Sequence, residues 1–179
     1  GDAVLHALAN GLRPFILRRT KEQAAPELPP KTEQTIVCEL GPRQRQLYDE
    51  LREYYRRSLT ERVNEVGLGR SKVHVLEALL RLRQVACHQG LVDPELTGEP
   101  SAKLDALIEQ VRELAAQKRK VLVFSQFTPL LDIVRKMFDA EEIPYEYLDG
   151  RTRDREQRVR RFQEDPATPV FLISLKAGG

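Results

Sequence analysis

Residues 120–134 read KVLVFSQFTPLLDIV. Val121 to Phe124 form an apolar run of strand length, the pattern of a parallel strand covered on both faces. A polar turn follows, and Thr128-Pro129 opens a helix, because proline at the first helical position gives up no hydrogen bond. The same alternation extends to both sides. Ser101 stands where an N-cap belongs, ahead of a helix bearing Leu104, Leu107, Ile108, Val111 and Leu114 on one face. Downstream come IPYEYLDG, a helix opened by Thr152, and PVFLIS. From Ser101 onward the chain therefore reads as helix and strand in strict alternation, which predicts an α/β fold with a parallel sheet. Right-handed crossovers then bring all three strand carboxyl ends to one rim. The strand in VFLISL is expected at an open edge, so that an unfinished sheet would tend to self-associate.

The first hundred residues are organised differently. APELPPKTE (25–33), with three prolines, reads as an extended linker, and TIVCEL (35–40) as a short strand. Gly41-Pro42 opens a helix with Leu47, Leu51, Tyr54, Tyr55, Leu59, Val63 and Val66 on one face. GLGRS (67–71) interrupts it, and a second helix is expected from about Ser71, carrying Leu76, Leu79, Leu80 and Val85 and ending before Gly90. Together these predict an α-helical hairpin inserted ahead of the sheet.

Composition removes several function classes. Of the 179 residues 41% are hydrophobic, enough for a core. No run reaches the roughly 18 apolar residues of a membrane span, and no signal peptide is evident, so a soluble cytoplasmic or nuclear protein is expected and no membrane partner. Cys38 and Cys87 form no CxxC pair, and His6, His74 and His88 are scattered, so no metal site is expected. The net charge of +2 conceals RTRDREQRVRR (151–161), with six arginines against two acids, and the basic RPFILRRTK (13–21). Such a run is either a solvated helix face, with Val159 and Phe162 as its anchors on the sheet, or a contact for a polyanion.

The rim gathers the chemistry. The three strands run out into Ser125-Gln126-Phe127-Thr128, Asp149-Gly150-Arg151-Thr152 and Ser174-Leu175-Lys176-Ala177-Gly178-Gly179. Ligands of open α/β sheets bind outside the strand carboxyl ends, where helix N-termini face anions. Gly150, Gly178 and Gly179 allow close backbone approach, and Arg151 and Lys176 add charge. A phosphate-binding edge is the expectation. A self-sufficient nucleotidase would need G-x-x-x-x-G-K-[ST], and PPKT (29–32) and GRSK (69–72) lack its glycines. DELR (49–52) imitates a metal-binding acidic box but sits in an amphipathic helix, where it reads as solvated surface.

Taken in order, LRPFILRRTK, LPPKTE, LRQVACHQGLV, SAKLDALIEQV, KVLVFSQF, YLDGRTRDREQRVRRFQ and FLISLKAGG resemble the SWI/SNF family of helicase-like ATPases in superfamily two, in wording closest to its bacterial members. The resemblance implies two RecA-like lobes that close on ATP and Mg²⁺ while gripping double-stranded DNA. KVLVFSQF is similar to the family's motif IV and SLKAGG to the first half of motif V. It implies a chain that covers the end of a first-lobe protrusion and inter-lobe linker (1–35), a short strand plus the helical insertion of the second lobe (36–99), and a truncated second RecA-like lobe (100–179). Ser125, Gln126, Gly150, Thr152, Lys176 and Gly178 would then lie on the DNA-backbone track, and Gly178 and Gly179 near the nucleotide. Arg151 replaces a frequent small hydroxyl residue, a change expected to strengthen a phosphate contact. Cys87-His88-Gln89-Gly90 replaces the common Cys-Asn-His-Pro and is expected to alter only a helix end. No catalytic residue is expected within the chain, so alone it would neither bind nor hydrolyse ATP, the other lobe being its partner in the intact protein. The competing expectations are a non-enzymatic docking module and an RNA helicase of the same superfamily. The helical insertion and LRPFILRRTK speak against the second of these.

Overall fold

The computed structural model describes residues 2–12, 15–16 and 19–175, so Lys176, Gly178 and Gly179 lie outside the described residues. The chain divides into a unit of residues 1–36 and a unit of residues 37–179. The smaller unit holds α1 (Asp2–Leu12) and the single turn α2 (Lys21–Ala24). Thr20 and Gln23 close a capping box at α2: the Gln23 amide N–H donates to Thr20 Oγ1 and the Thr20 N–H to Gln23 Oε1.

The larger unit begins without the expected strand. Residues 35–40 carry no regular structure, and Val37 is 85% exposed. An apolar run forms a strand only where a neighbour offers a ladder, and none adjoins it among the described residues. The hairpin follows, as α3 (Pro42–Val66) and α4 (Leu68–Cys87). The interruption is one residue, not five. Gly67 takes φ 82°, which a side chain disfavours, and its N–H caps Val63 O. α4 therefore starts three residues earlier than expected. Its seam differs too: Ser71, Ala78 and Val85 are buried, whereas Leu76, Leu79 and Leu80 are exposed.

The end of α4 is held by side chains from two other segments and by its own C-cap residue. Gln44 Nε2 donates to Val85 O at 2.7 Å, and Ser101 Oγ donates to Cys87 O at 2.9 Å rather than capping its own helix. Gly90 N–H donates to Nδ1 of the buried His88, which fixes the tautomer in which His88 Nε2–H donates to Glu99 O. Burial holds this imidazole below its ordinary pKa. His88 is thus a fastener of the helix end.

The α/β part runs α5 (Ala102–Ala116), β1 (Val121–Ser125), α6 (Thr128–Ala140), β2 (Tyr145–Leu148), α7 (Arg155–Glu164) and β3 (Val170–Ser174). All strands are parallel in the order β1-β3-β2, with Val121 and Tyr145 both in register with Val170. The strand of VFLISL is therefore central, not an edge. Its residues are the most thoroughly buried of the sheet, whereas β2, with Glu146 and two tyrosines, takes an outer place. One sheet face packs Val170 and Leu172 against Leu104, Ile108 and Val111 of α5 and Leu131, Val134 and Phe138 of α6. The other packs Phe171 and Leu148 against Phe162 of α7. On that second face β1 leaves Leu122 and Phe124 about half exposed. Among the described residues no helix is long and apolar enough to cross a membrane.

α7 begins at Arg155, three residues after Thr152, and its arginines do not all face water. Arg158 and Arg161 reach across β2 to the buried carboxylate of Glu146. An acid on the covered face of a strand must find partners, and the helix above supplies two.

Candidate functional site

The sheet's carboxyl rim is shaped by two short turns, each tied by its own side chains. After β1, Phe127 N–H donates to Ser125 Oγ at 3.0 Å and that hydroxyl donates to Phe127 O at 3.3 Å. Leu175 N–H donates to Ser125 O, which locks the ends of β1 and β3 together. After β2, Asp149 gathers the loop. Its Oδ1 accepts from Arg151 N–H at 2.8 Å and from the Thr152 hydroxyl at 3.1 Å, and its Oδ2 accepts from the Tyr147 hydroxyl at 3.2 Å. Asp149 N–H donates back to Thr152 Oγ1. Thr152 thus closes this turn instead of capping α7.

These contacts set the electrostatics. Burial works to raise the Asp149 carboxyl, but the hydrogen bonds from Arg151, Thr152 and Tyr147 outweigh it and hold the group below its usual range. Tyr147 is pushed up to about 12, first by burial and then by the Asp149 charge. The guanidinium of Arg135 lies over the Tyr147 ring, 4.6 Å from its centroid, and pairs with Asp132. Arg151 is different. Its side chain is exposed and makes no ion pair among the described residues.

α6 divides the rim in two. One side is a cleft of about 580 Å³ bounded by Thr128, Asp132, Arg135, Asp149, Gly150 and Arg151. The other, of about 530 Å³, contains Ser125 and Gln126 among apolar residues of α5, α6 and β1. The predicted residues are therefore not gathered at a single point: Gly150 and Arg151 share one cleft, Ser125 and Gln126 the other, and Thr152 lies inside its turn. The cleft beside Gly150 is balanced, two carboxylates against two guanidinium groups, with Arg135 already paired. Its uncommitted cation is Arg151, which the fully bonded turn holds outward. Among the described residues no group of three or more His, Cys, Asp or Glu is placed to hold a metal ion.

Sequence reasoning missed Asp149, Tyr147 and Arg135 as parts of this site. The signals were present: in YEYLD the strand period of two sets Tyr145, Tyr147 and Asp149 on one side, and D-G-x-T is the pattern of a side-chain-closed turn.

Two family models match the chain in succession, the SNF2-related domain over residues 1–91 and the helicase conserved C-terminal domain over residues 102–179. An ATP-dependent helicase of Mycoplasma pneumoniae is 34% identical over 184 residues, covering 99% of this chain and 17% of the relative. Protein CHROMATIN REMODELING 4 of Arabidopsis thaliana is 34% identical over 185 residues, covering 93% of this chain and 8% of its own length. The chain thus spans less than a fifth of either relative. Among solved structures, the SWI2/SNF2 ATPase core of Sulfolobus solfataricus in complex with dsDNA superposes with a TM-score of 0.70 at 27% identity, over 94% of this chain and 36% of that one. The C-terminal domain of the Sulfolobus solfataricus SWI2/SNF2 ATPase gives a TM-score of 0.67 at 26% identity, over 80% and 63%. The parallel sheet with its flanking helices is that of a RecA-like lobe, and the chain belongs to the SNF2-related family of helicase-like ATPases.

Proposed function

We propose that this chain is the second-lobe portion of an ATP-dependent double-stranded DNA translocase of SWI/SNF type. In this reading residues 1–35 are the end of a first-lobe protrusion and the inter-lobe linker, 36–99 the helical insertion, and 100–179 part of the second RecA-like lobe. The observation that carries it is the Asp149–Thr152 turn, whose internal bonds leave the Arg151 guanidinium uncommitted at the strand carboxyl ends. The likeness to a SWI2/SNF2 core in complex with dsDNA supports the same reading.

Arg151 and Gln126 would contact phosphate directly, with Gly150 allowing the backbone close. The hydroxyls of Ser125 and Thr152 are engaged in their own turns, so their part is to shape the two loops. Lys176 and Gly178 would extend the track, and Gly178 and Gly179 would approach the nucleotide. Contacts of this kind follow the backbone with little regard to sequence. ATP and Mg²⁺ would be held by the intact protein. The residues described here do not fit a Mg²⁺-nucleotide site, and the sequence has no G-x-x-x-x-G-K-[ST], so this chain alone is expected to hydrolyse no ATP. The setting would be the bacterial nucleoid, or the nucleus in a eukaryote.

The test is DNA-stimulated ATP hydrolysis by the intact protein carrying Arg151→Ala. Half-saturation should require several-fold more duplex DNA at moderate salt, with turnover at saturating DNA retained. An unchanged DNA requirement would remove Arg151 from the track. Equal stimulation by duplex RNA would favour an RNA helicase instead.

A further inference from the structure

α4 carries apolar residues on two opposite sides. Ser71, Ala78 and Val85 are its buried residues, at seven-residue intervals on one side. At about 3.6 residues per turn, Val73, Leu76 and Leu80 fall on the side away from them, and they are 72%, 66% and 43% exposed. A single exposed leucine is ordinary, but a stripe at helical spacing that runs on into an apolar cleft marks an interaction surface. From Leu80 the stripe continues to Arg83 and Cys87, which form one wall of the cleft of about 530 Å³. Leu107 of α5 and Val123 of β1 line it farther along.

Cations outnumber acids beside this surface: Glu77 is the one carboxylate of α4, and Lys72 and Arg83 stand on the opposite flank of the stripe. Arg83 and Lys103 are the charged residues of the cleft lining. Lys72 lies about three turns before Arg83 on the same flank of α4. Among the described residues none of the three makes an ion pair, and Lys103 Nζ has only the Cys87 Sγ at 3.7 Å.

We propose that the outer stripe of α4 and the adjoining cleft are a docking groove for an acidic amphipathic helix of a partner protein. The stripe from Val73 to Cys87 is about 21 Å long, the span of roughly four helical turns. Such an occupant sets an apolar ridge on Val73, Leu76 and Leu80 and carboxylates against Lys72, Arg83 and Lys103. Duplex DNA would meet the three cations but leave the leucines uncovered. A second copy of this chain would bring the same cations to the same groove.

The probe is a labelled synthetic peptide of 18 residues, with leucines at alternating three- and four-residue spacing and glutamates along one flank. Its binding to the 179-residue chain is followed by fluorescence anisotropy. One control peptide exchanges every glutamate for lysine and another every leucine for serine. The acidic peptide should bind saturably, and both controls at least about tenfold more weakly, the factor that about 1.4 kcal/mol represents. Leu76→Ser with Leu80→Ser should abolish binding at an unchanged melting temperature, since both side chains are exposed. Lys72→Glu with Arg83→Glu should weaken the acidic peptide and strengthen the lysine peptide, which a surface that is merely greasy would not do. The proposal is overturned if the acidic peptide does not bind, or if either pair of substitutions leaves its affinity unchanged. It is overturned equally if the serine pair weakens binding of a short DNA duplex as much as it weakens the peptide, or if sedimentation shows a dimer that the serine pair dissolves.

Discussion

Arg161 donates from Nε to Oε1 of Glu146 over 3.0 Å, and the carboxylate it reaches belongs to a residue only 7% exposed. Arg158 meets the other oxygen at 3.2 Å. Two arginines of a run that looks like solvated surface therefore clamp α7 to β2. Removing both strands a buried charge, and the loss should approach but stay below the roughly 3–5 kcal/mol of a fully buried pair, because the guanidinium groups are part exposed. Arg153→Ala and Arg160→Ala should stay within about 0.5 kcal/mol. Urea denaturation of the double variant and the two single ones would show it; equal losses would contradict the clamp.

Phe162 is the anchor of the same helix. It is 9% exposed and its ring lies 5.3 Å from that of Phe171, centroid to centroid. Phe162→Ala should cost about 3–5 kcal/mol, seen as an earlier urea midpoint. A silent substitution would mean that α7 does not pack through this face.

His88 predicts a pH dependence. Its folded pKa lies below the ordinary value, because burial opposes the charge. The unfolded chain then binds the proton more readily, so stability is complete above about pH 6.5 and falls as pH drops from there towards the lower folded value. Protonation would also set a new N–H against the Gly90 N–H now bonded to Nδ1. Melting temperature against pH should step down across this window, and His88→Asn should reduce the step.

Gly90 has a steric reason to be glycine. A Cβ there would stand 2.7 Å from Thr97 Cα, whereas one at Gly98 would meet nothing within 4 Å. Gly90→Ala should lower the melting temperature and Gly98→Ala should not, as differential scanning calorimetry would record.

Duplex binding by the chain should be weak and salt-dependent. If Arg151 neutralises one phosphate, Arg151→Ala should flatten log affinity against log salt by about 0.9, equally for DNA of any sequence. An unchanged slope from a fluorescence titration would contradict that contact.

The alternation from Ser101 onward was legible because strand and helix periods differ, and each helix there begins with a recognisable polar or proline signal. What escaped was tertiary. TIVCEL has the composition of a strand, but composition cannot supply a pairing neighbour. Leu76 and Leu80 have helical spacing, but spacing does not say which of two apolar sides of α4 meets α3. Thr152 has the chemistry of a cap, and Asp149, three residues earlier, claims it for a turn. At the rim, the loops could be located from the strand ends, whereas the division of the rim by α6 needed the packed helix.

The central place of β3 makes the sheet a keystone arch. Among the described residues β1 and β2 are not ladder partners; each is bonded to Val170–Ser174, which follows both in the chain. During synthesis β1 and β2 gain this shared partner only when that segment leaves the ribosome, and both pairings are long-range. Until then the faces of α5, α6 and α7 that pack on β3 stay open, and this part of the chain is most in need of chaperone cover just before Val170–Ser174 arrives.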